Sequence, residues 1–164
     1  MGNQALVYEA KLRHLLKEVD THLQRVDIAF SELSKKHEIP FTIKSFTELL
    51  TSHADVAFAD QVIYRFSKAQ DSMGAKLFKA FLLYQGENID KPFLDILNSL
   101  EKLNVVQVDD WFELREIRNE IAHDYDENTL LAMNIINHIY QHQAQLKRIV
   151  VRLRQLAHFE EVSV

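Results

Sequence analysis

Apolar side chains recur at three- and four-residue steps along most of this chain, the spacing of amphipathic helices. The first such run predicts a long helix over residues 4–36, which ends before Pro40 because a proline disfavours a helical residue in front of it. A second run predicts a long helix over residues 60–85, with Gly86 as its C-terminal cap. The predicted buried stripe of the first helix comprises Leu6, Leu12, Leu15, Leu16, Val19, Leu23, Val26, Phe30 and Leu33.

Capping residues predict where the other helices begin, because their side chains bind backbone N–H groups that a helix start leaves unpaired. The predicted starts are, in chain order, a capping box at residues 45–48, Asp90 with Pro92, Asp109 or Asp110, and Asp126 or Asn128. The short helix after the capping box runs through Leu50, and the last helix continues to about Leu156.

The predicted fold is all-α: an up-and-down bundle of four main helices plus one or two short ones, forming a single domain over residues 1–164. Three Gly and two Pro in 164 residues leave few turns and favour long helices. The length is sufficient for one continuous hydrophobic core.

Composition removes several classes of function. The chain has no Cys, which excludes disulfides, thiolate metal sites and a Cys nucleophile. The net charge of −5 argues against a general nucleic-acid-binding surface, so any contact with RNA would be local. No apolar run reaches the length of a membrane span, and the N-terminus does not resemble a signal peptide. These features predict a cytoplasmic protein without membrane contact.

Residues 118–125 contain the candidate chemistry. Arg118 supplies a planar cation suited to phosphate oxygens, and His123 supplies an imidazole that exchanges protons near neutral pH. These groups could serve a metal-free phosphodiester cleavage if the helix ends near Ala122 and places His123 in its last turn. The alternative is that Arg118, Asn119 and His123 only bind the last carbonyls of an amphipathic helix.

Three further polar residues are weighed on the residues alone. Asp71 either reaches Arg118 or His123 across an interhelical cleft or is a surface acid. His138 and His142 have a spacing that can hold a metal, but the sequence offers no third ligand, so no metal site and no cofactor are predicted.

The series Arg-Asn-x-x-x-His-x-Tyr at residues 118–125, in a Cys-free helical chain of this length, resembles the HEPN families (higher eukaryote and prokaryote nucleotide-binding). Within them it is similar to HepT-type toxins and to related nucleotidyltransferase substrate-binding proteins. A second matching patch runs from Arg65-Phe66 through Asp71 to residues 84–87, Tyr-Gln-Gly-Glu.

The resemblance implies a homodimer and a toxin ribonuclease that needs no metal. Two copies of Arg118 and His123 would meet across a twofold axis, one His acting as base and the other as acid on RNA, with Asn119 holding the phosphate or the imidazole. Tyr125 matches the Tyr that a partner MntA-type nucleotidyltransferase adenylylates to silence the toxin; otherwise it anchors its loop by packing. The alternative function is a non-catalytic substrate-binding subunit of such an enzyme.

The surroundings of the motif are acidic, which opposes RNA binding. Residues 109–127 contain eight acids and two Arg, a net charge of −6. One expectation is that cations on the last helix line the cleft and compensate for these acids; the alternative is that they form only a solvated helix face. These cations are Lys147, Arg148, Arg152 and Arg154.

Overall fold

The computed structural model describes residues 2–121 and 127–159, which form helices and no strand. The helices are α1 (Asn3–Ser34), α2 (Ile43–Leu49), α3 (His53–Ser72), α4 (Phe78–Tyr84), α5 (Phe93–Lys102), α6 (Val108–Ile121) and α7 (Thr129–Ala157). A π-helical turn, Met73–Leu77, joins α3 to α4 in one rod. The all-helical prediction is confirmed: α1, this rod, α6 and α7 are the main helices, and α2 and α5 are short.

Ion pairs show how α1 and α7 lie against each other. Asp20 of α1 pairs with Arg154 of α7, and Asp27, two turns further along α1, pairs with Lys147. Because the partner numbers fall as the α1 numbers rise, the two helices run antiparallel.

The core is formed by side chains from every helix, and the stripe predicted for α1 is buried from Leu12 to Leu33. Leu6 is an exception, because its side chain is 65% exposed in the monomer. The first turns of α1 therefore extend beyond the core. No helix within the described ranges is long and apolar enough to cross a membrane.

Two predicted helix starts lie too late in the chain. The capping box of α2 is formed by Thr42 and Ser45, whose side chains exchange hydrogen bonds with each other's backbone N–H, so residues 45–48 belong to the helix. The long second helix starts at His53 instead of residue 60, because the Ser52 side chain accepts a hydrogen bond from the Asp55 N–H. Residues 53–59 are therefore the first turns of this helix, and Asp55 and Ala59 within them are buried.

The three later starts differ in outcome: α5 begins later than predicted, α6 begins earlier, and α7 begins as predicted. Asp90 does not cap α5, which begins after Pro92 without a side-chain cap. Neither Asp109 nor Asp110 caps α6; the Val108 N–H at its start donates to a carboxylate oxygen of Glu101 at 2.8 Å. The Asn128 prediction is confirmed by a 3.0 Å hydrogen bond from the Leu131 N–H to its side chain.

The end of α4 is as predicted. Gly86 has φ of +82°, in the left-handed region that glycine adopts without steric cost. Its N–H donates to the Leu83 carbonyl, and the Glu87 N–H donates to the Leu82 carbonyl. This pair of hydrogen bonds is the Schellman arrangement, which satisfies carbonyls left open at the helix end.

Candidate functional site

Arg118 of α6 forms a two-point ion pair with Asp71 of α3. Its Nε donates to Asp71 Oδ1 at 3.0 Å and one terminal nitrogen donates to Oδ2 at 3.2 Å. The other terminal nitrogen makes no hydrogen bond with any described residue. The two side chains are partly accessible, 31% for Arg118 and 51% for Asp71. The pair therefore fixes the plane of a guanidinium that still presents N–H groups to solvent. Of the alternatives for Asp71, the structure shows the contact with Arg118.

A cleft of about 580 Å³ opens beside this pair, between α3 and α6. Arg115 and Asn119 line it together with Arg118, because residues three and four apart share one face of a helix. Gln70 lines the opposite wall next to Asp71. The cleft thus combines two guanidinium groups, one carboxylate and two amides.

The remaining wall is apolar and depends on a glycine. Trp111 of α6 packs edge-on against Phe78, with ring centroids 4.7 Å apart, and Phe93 of α5 completes the wall. Gly74 lies in the π-helical turn, where a Cβ would come within 3.0 Å of Cζ2 of Trp111. The indole can approach the rod so closely only because residue 74 has no side chain. Since Gly74 meets Trp111 while Asp71 meets Arg118, α6 runs antiparallel to α3.

A second hollow, of about 380 Å³, lies on the other side of the ion pair. Arg118 and Asp71 line both spaces, and the second adds Lys68, Asp60 and the half-exposed Tyr64. Across the two spaces, the described residues contribute three cations (Lys68, Arg115 and Arg118) against two carboxylates. The described residues that line the two spaces around Arg118 therefore carry no net negative charge.

Two acids of α6, Glu113 and Glu120, are turned to the other side of the helix. Glu113 lies 3.0 Å from Nε2 of His142, and Glu120 lies 3.5 Å from Nδ1 of His138, both on α7. The two histidines thus bind α6 carboxylates, and His142 also bonds through Nδ1 to the carbonyl of His138 at 2.8 Å. Within the part of the chain described, no group of three or more His, Cys, Asp or Glu is placed to hold a metal.

The cations of α7 do not line the cleft, so that expectation is wrong. Lys147 and Arg154 are held by α1 carboxylates, and Arg152 donates two hydrogen bonds to the Leu103 carbonyl at 3.1 and 3.3 Å. Arg148 lines a separate hollow beside Asn104. The antiparallel packing of α7 on α1 directs these side chains away from Arg118.

Arg65, which opens the upstream patch, lies at the junction of α3 and α1. Its Nη1 donates to Nδ1 of His22 at 3.0 Å, while its buried Nε has no hydrogen-bond partner within the described residues. Burial, and secondly the Arg65 charge, hold the pKa of His22 below its ordinary value, with Glu18 opposing. Arg65 therefore acts in helix packing and does not line the cleft.

The two remaining predicted site residues, His123 and Tyr125, lie outside the described residues, as does Ala122 at the expected helix end. Described α6 ends at Ile121, one turn after Arg118, and α7 starts at Thr129. In the sequence, His123 and Tyr125 follow Ile121 by two and four residues.

Gln70, Gly74 and Arg115 are cleft residues that the sequence reasoning missed. The sequence contained a signal for two of them. Gly74 is a glycine inside a helical pattern, which often marks close packing. Arg115 is one helical turn from Arg118 and Asn119, so it shares their face. Nothing local distinguishes Gln70. No family model, curated protein or solved structure matches the chain. The interpretation of this cleft rests on its geometry.

Proposed function

We propose that this chain is a metal-independent endoribonuclease of the HEPN type, the toxin of a toxin–antitoxin pair, which acts in the cytoplasm as a homodimer. One observation carries the proposal: Asp71 fixes the Arg118 guanidinium at an open cleft, with Arg115 and Asn119 on the same helix face. A guanidinium held in one plane suits a phosphate, which it binds through two parallel hydrogen bonds.

In the proposed reaction, His123 of one subunit removes the proton of the RNA 2′-hydroxyl. The 2′-oxygen then forms a bond to phosphorus, and the bond from phosphorus to the 5′-oxygen breaks. The partner subunit's His123 gives a proton to that leaving oxygen, so the products are a 2′,3′-cyclic phosphate and a 5′-hydroxyl. Arg118 stabilises the charge that develops on the phosphate oxygens, and Asn119 donates a hydrogen bond to them. Asp71 positions Arg118.

Control of the activity is assigned to Tyr125. Its hydroxyl is the proposed acceptor of an AMP group from an MntA-type nucleotidyltransferase antitoxin. The added phosphate is an anion close in sequence to Arg118, and it competes with RNA for that cation. The reaction transfers AMP from ATP to the phenol oxygen and releases pyrophosphate.

A second candidate function is a non-catalytic substrate-binding subunit of that nucleotidyltransferase. It is favoured by the contact between Arg118 and Asp71, because the carboxylate neutralises the cation that RNA would need. With only one cation in excess over the carboxylates of the two spaces, a single phosphate group is an easier ligand than a long RNA.

Expression in a bacterial host separates the two functions. Wild type is compared with His123→Ala and Arg118→Ala, and with Arg25→Ala as control, since Arg25 is exposed on α1 away from the cleft. If wild type and Arg25→Ala arrest growth while His123→Ala and Arg118→Ala do not, the result supports the nuclease. A harmless wild type whose purified form leaves RNA intact refutes it. Incubation with ATP and an MntA-type nucleotidyltransferase tests Tyr125, and an unchanged mass argues against adenylylation.

A further inference from the structure

The rod formed by α3, the π-helical turn and α4 carries an excess of cations beside Arg118. Residues 65–84 contain four cations and one acid, and that acid, Asp71, is paired with Arg118. Three of the cations are lysines that form no ion pair with any described residue. They are Lys68, Lys76 and Lys79, of which the first two are exposed and the third is partly buried. The chain as a whole is acidic, with a net charge of −5, but this rod has a cationic surface.

An exposed aromatic ring lies at one end of this surface. Tyr64 is 53% exposed, and the guanidinium carbon of Arg65 and the Nζ of Lys68 each lie 5.6 Å from the centroid of its ring. The Arg65 guanidinium is itself held in place, because its Nη1 donates to Nδ1 of His22 at 3.0 Å. The ring is therefore flanked by two cations while more than half of the side chain stays open to solvent.

The ring and the lysines lie in one line with Arg118 along the rod. Tyr64, Lys68 and Asp71 are three and four residues apart, so they share one helix face, and all three line the smaller hollow. Arg118 and Asp71 line the larger cleft as well, and Lys79 lies about two turns further along the rod. From residue 64 to residue 79 the rod rises about 22 Å, at 1.5 Å per residue. An extended ligand can therefore follow the rod with Arg118 near its middle.

We propose that an RNA track, formed by Tyr64, Lys68, Arg118 and Lys79, binds single-stranded RNA on both sides of the phosphate held by Arg118. Tyr64 stacks on a base, and the two lysines bind flanking phosphates. The inference rests on the proposed function and deepens it, because it assigns the path of the RNA at the same site. Cations that alternate with an exposed aromatic ring bind single strands without reading their sequence. An acidic peptide would use the lysines but leave the ring without a partner.

The direct test is fluorescence anisotropy of the full chain with a labelled single-stranded RNA whose 2′-oxygens are methylated, so that it binds without being cleaved. Tyr64→Ala is expected to weaken binding about 5- to 150-fold, the contribution of one stacked base. Tyr64→Phe keeps the ring and is expected to bind within about twofold of wild type. Since Tyr64 is exposed, both variants are expected to fold. Equal affinity of Tyr64→Ala and wild type overturns the proposal, as does an equal loss in both variants.

The two lysines are tested through the salt dependence of the same binding. Each phosphate contact to a single strand contributes about 0.7 to the slope of log Kd against the logarithm of the salt concentration. Lys68→Ala and Lys79→Ala are each expected to lower the slope by about that amount. A slope that neither substitution changes refutes the RNA track. Polyglutamate that binds as tightly as the RNA, and equally well to Tyr64→Ala, would assign the surface to an acidic protein and also refute it.

Matched controls complete the design. Tyr140 is 38% exposed on α7, where it packs against Phe30, and Lys17 is exposed on the side of α1 that carries Asp20 and faces α7. Tyr140→Ala and Lys17→Ala are therefore expected to bind RNA like wild type. A protein that binds RNA through Tyr64 but cleaves none refutes the nuclease and leaves the RNA track. A protein that cleaves RNA, with binding and cleavage unchanged by Tyr64→Ala, refutes the RNA track and leaves the nuclease.

Discussion

Replacing Arg118 by Lys separates the charge of this residue from its geometry. The ion pair with Asp71 is partly exposed at both side chains, and such pairs contribute less than about 1 kcal/mol to stability. The urea midpoint of Arg118→Lys is therefore expected to stay close to that of wild type.

The effect on the reaction is expected to be larger. A lysine ammonium keeps the charge but cannot hold Asp71 with two nitrogens and still present a planar fork to phosphate. Loss of one hydrogen bond to a charged group costs about 1.5–3 kcal/mol, which corresponds to roughly a 10- to 150-fold decrease in kcat/KM. Cleavage of a labelled RNA oligonucleotide measures this decrease.

Arg25→Lys is the control, since Arg25 is exposed and lies away from the cleft, and it should change neither quantity. An Arg118→Lys protein that cleaves RNA at the wild-type rate would show that the fixed plane of the guanidinium is unimportant. A loss of stability of about 3 kcal/mol would instead show that Arg118 is mainly structural, since only buried partners cost that much.

Three further predictions concern the scaffold. The pKa of His22 is lower in the folded protein than its ordinary value of about 6.5 in the unfolded chain. The stability that neutral His22 allows is therefore complete above pH 6.5 and is lost as the pH falls from there towards the folded pKa. His22→Gln should lessen the fall in urea midpoint between pH 7.5 and 5. Asn137 bonds to both the N–H and the carbonyl of Phe41, at 2.7 and 2.9 Å, so Asn137→Ala should lower the unfolding free energy by about 2 kcal/mol or more in urea titrations. Gly86→Ala should cost about 1 kcal/mol through φ alone, with a lower Tm, because no atom lies within 4 Å of its Cβ position.

The presence of each main helix could be predicted from the sequence, because it depends on the local periodicity of apolar residues. Several helix starts could not be predicted, because they depend on contacts that the local sequence does not reveal. The start of α6 is bound by Glu101, seven residues before Val108 and on another helix. Asp90 was expected to cap α5, but the helix begins only after Pro92, so Asp90 lies before the capping position.

The candidate site was only partly predictable for a related reason. Arg118 and Asn119 could be named from the motif, and the contact with Asp71 could be anticipated. Gln70 could not be singled out, because its role depends on the rotation of α3 relative to α6, and a helical pattern fixes only which residues share one face. The π-helical turn changes that rotation after Ser72, and nothing in the periodicity indicates it.

The charge around the motif depends on this rotation as well. Summed along residues 109–127 the sequence is strongly acidic, yet Glu113 and Glu120 point to α7 histidines while Arg115 and Arg118 point into the cleft. A ligand that enters the cleft meets the cations at close range, whereas the carboxylates on the far side act through the helix and through salt solution, which screens charges beyond about 8–10 Å. The net charge of a segment therefore describes the long-range repulsion of RNA. Whether a single phosphate is bound depends instead on which charged side chains lie on the helix face that lines the cleft.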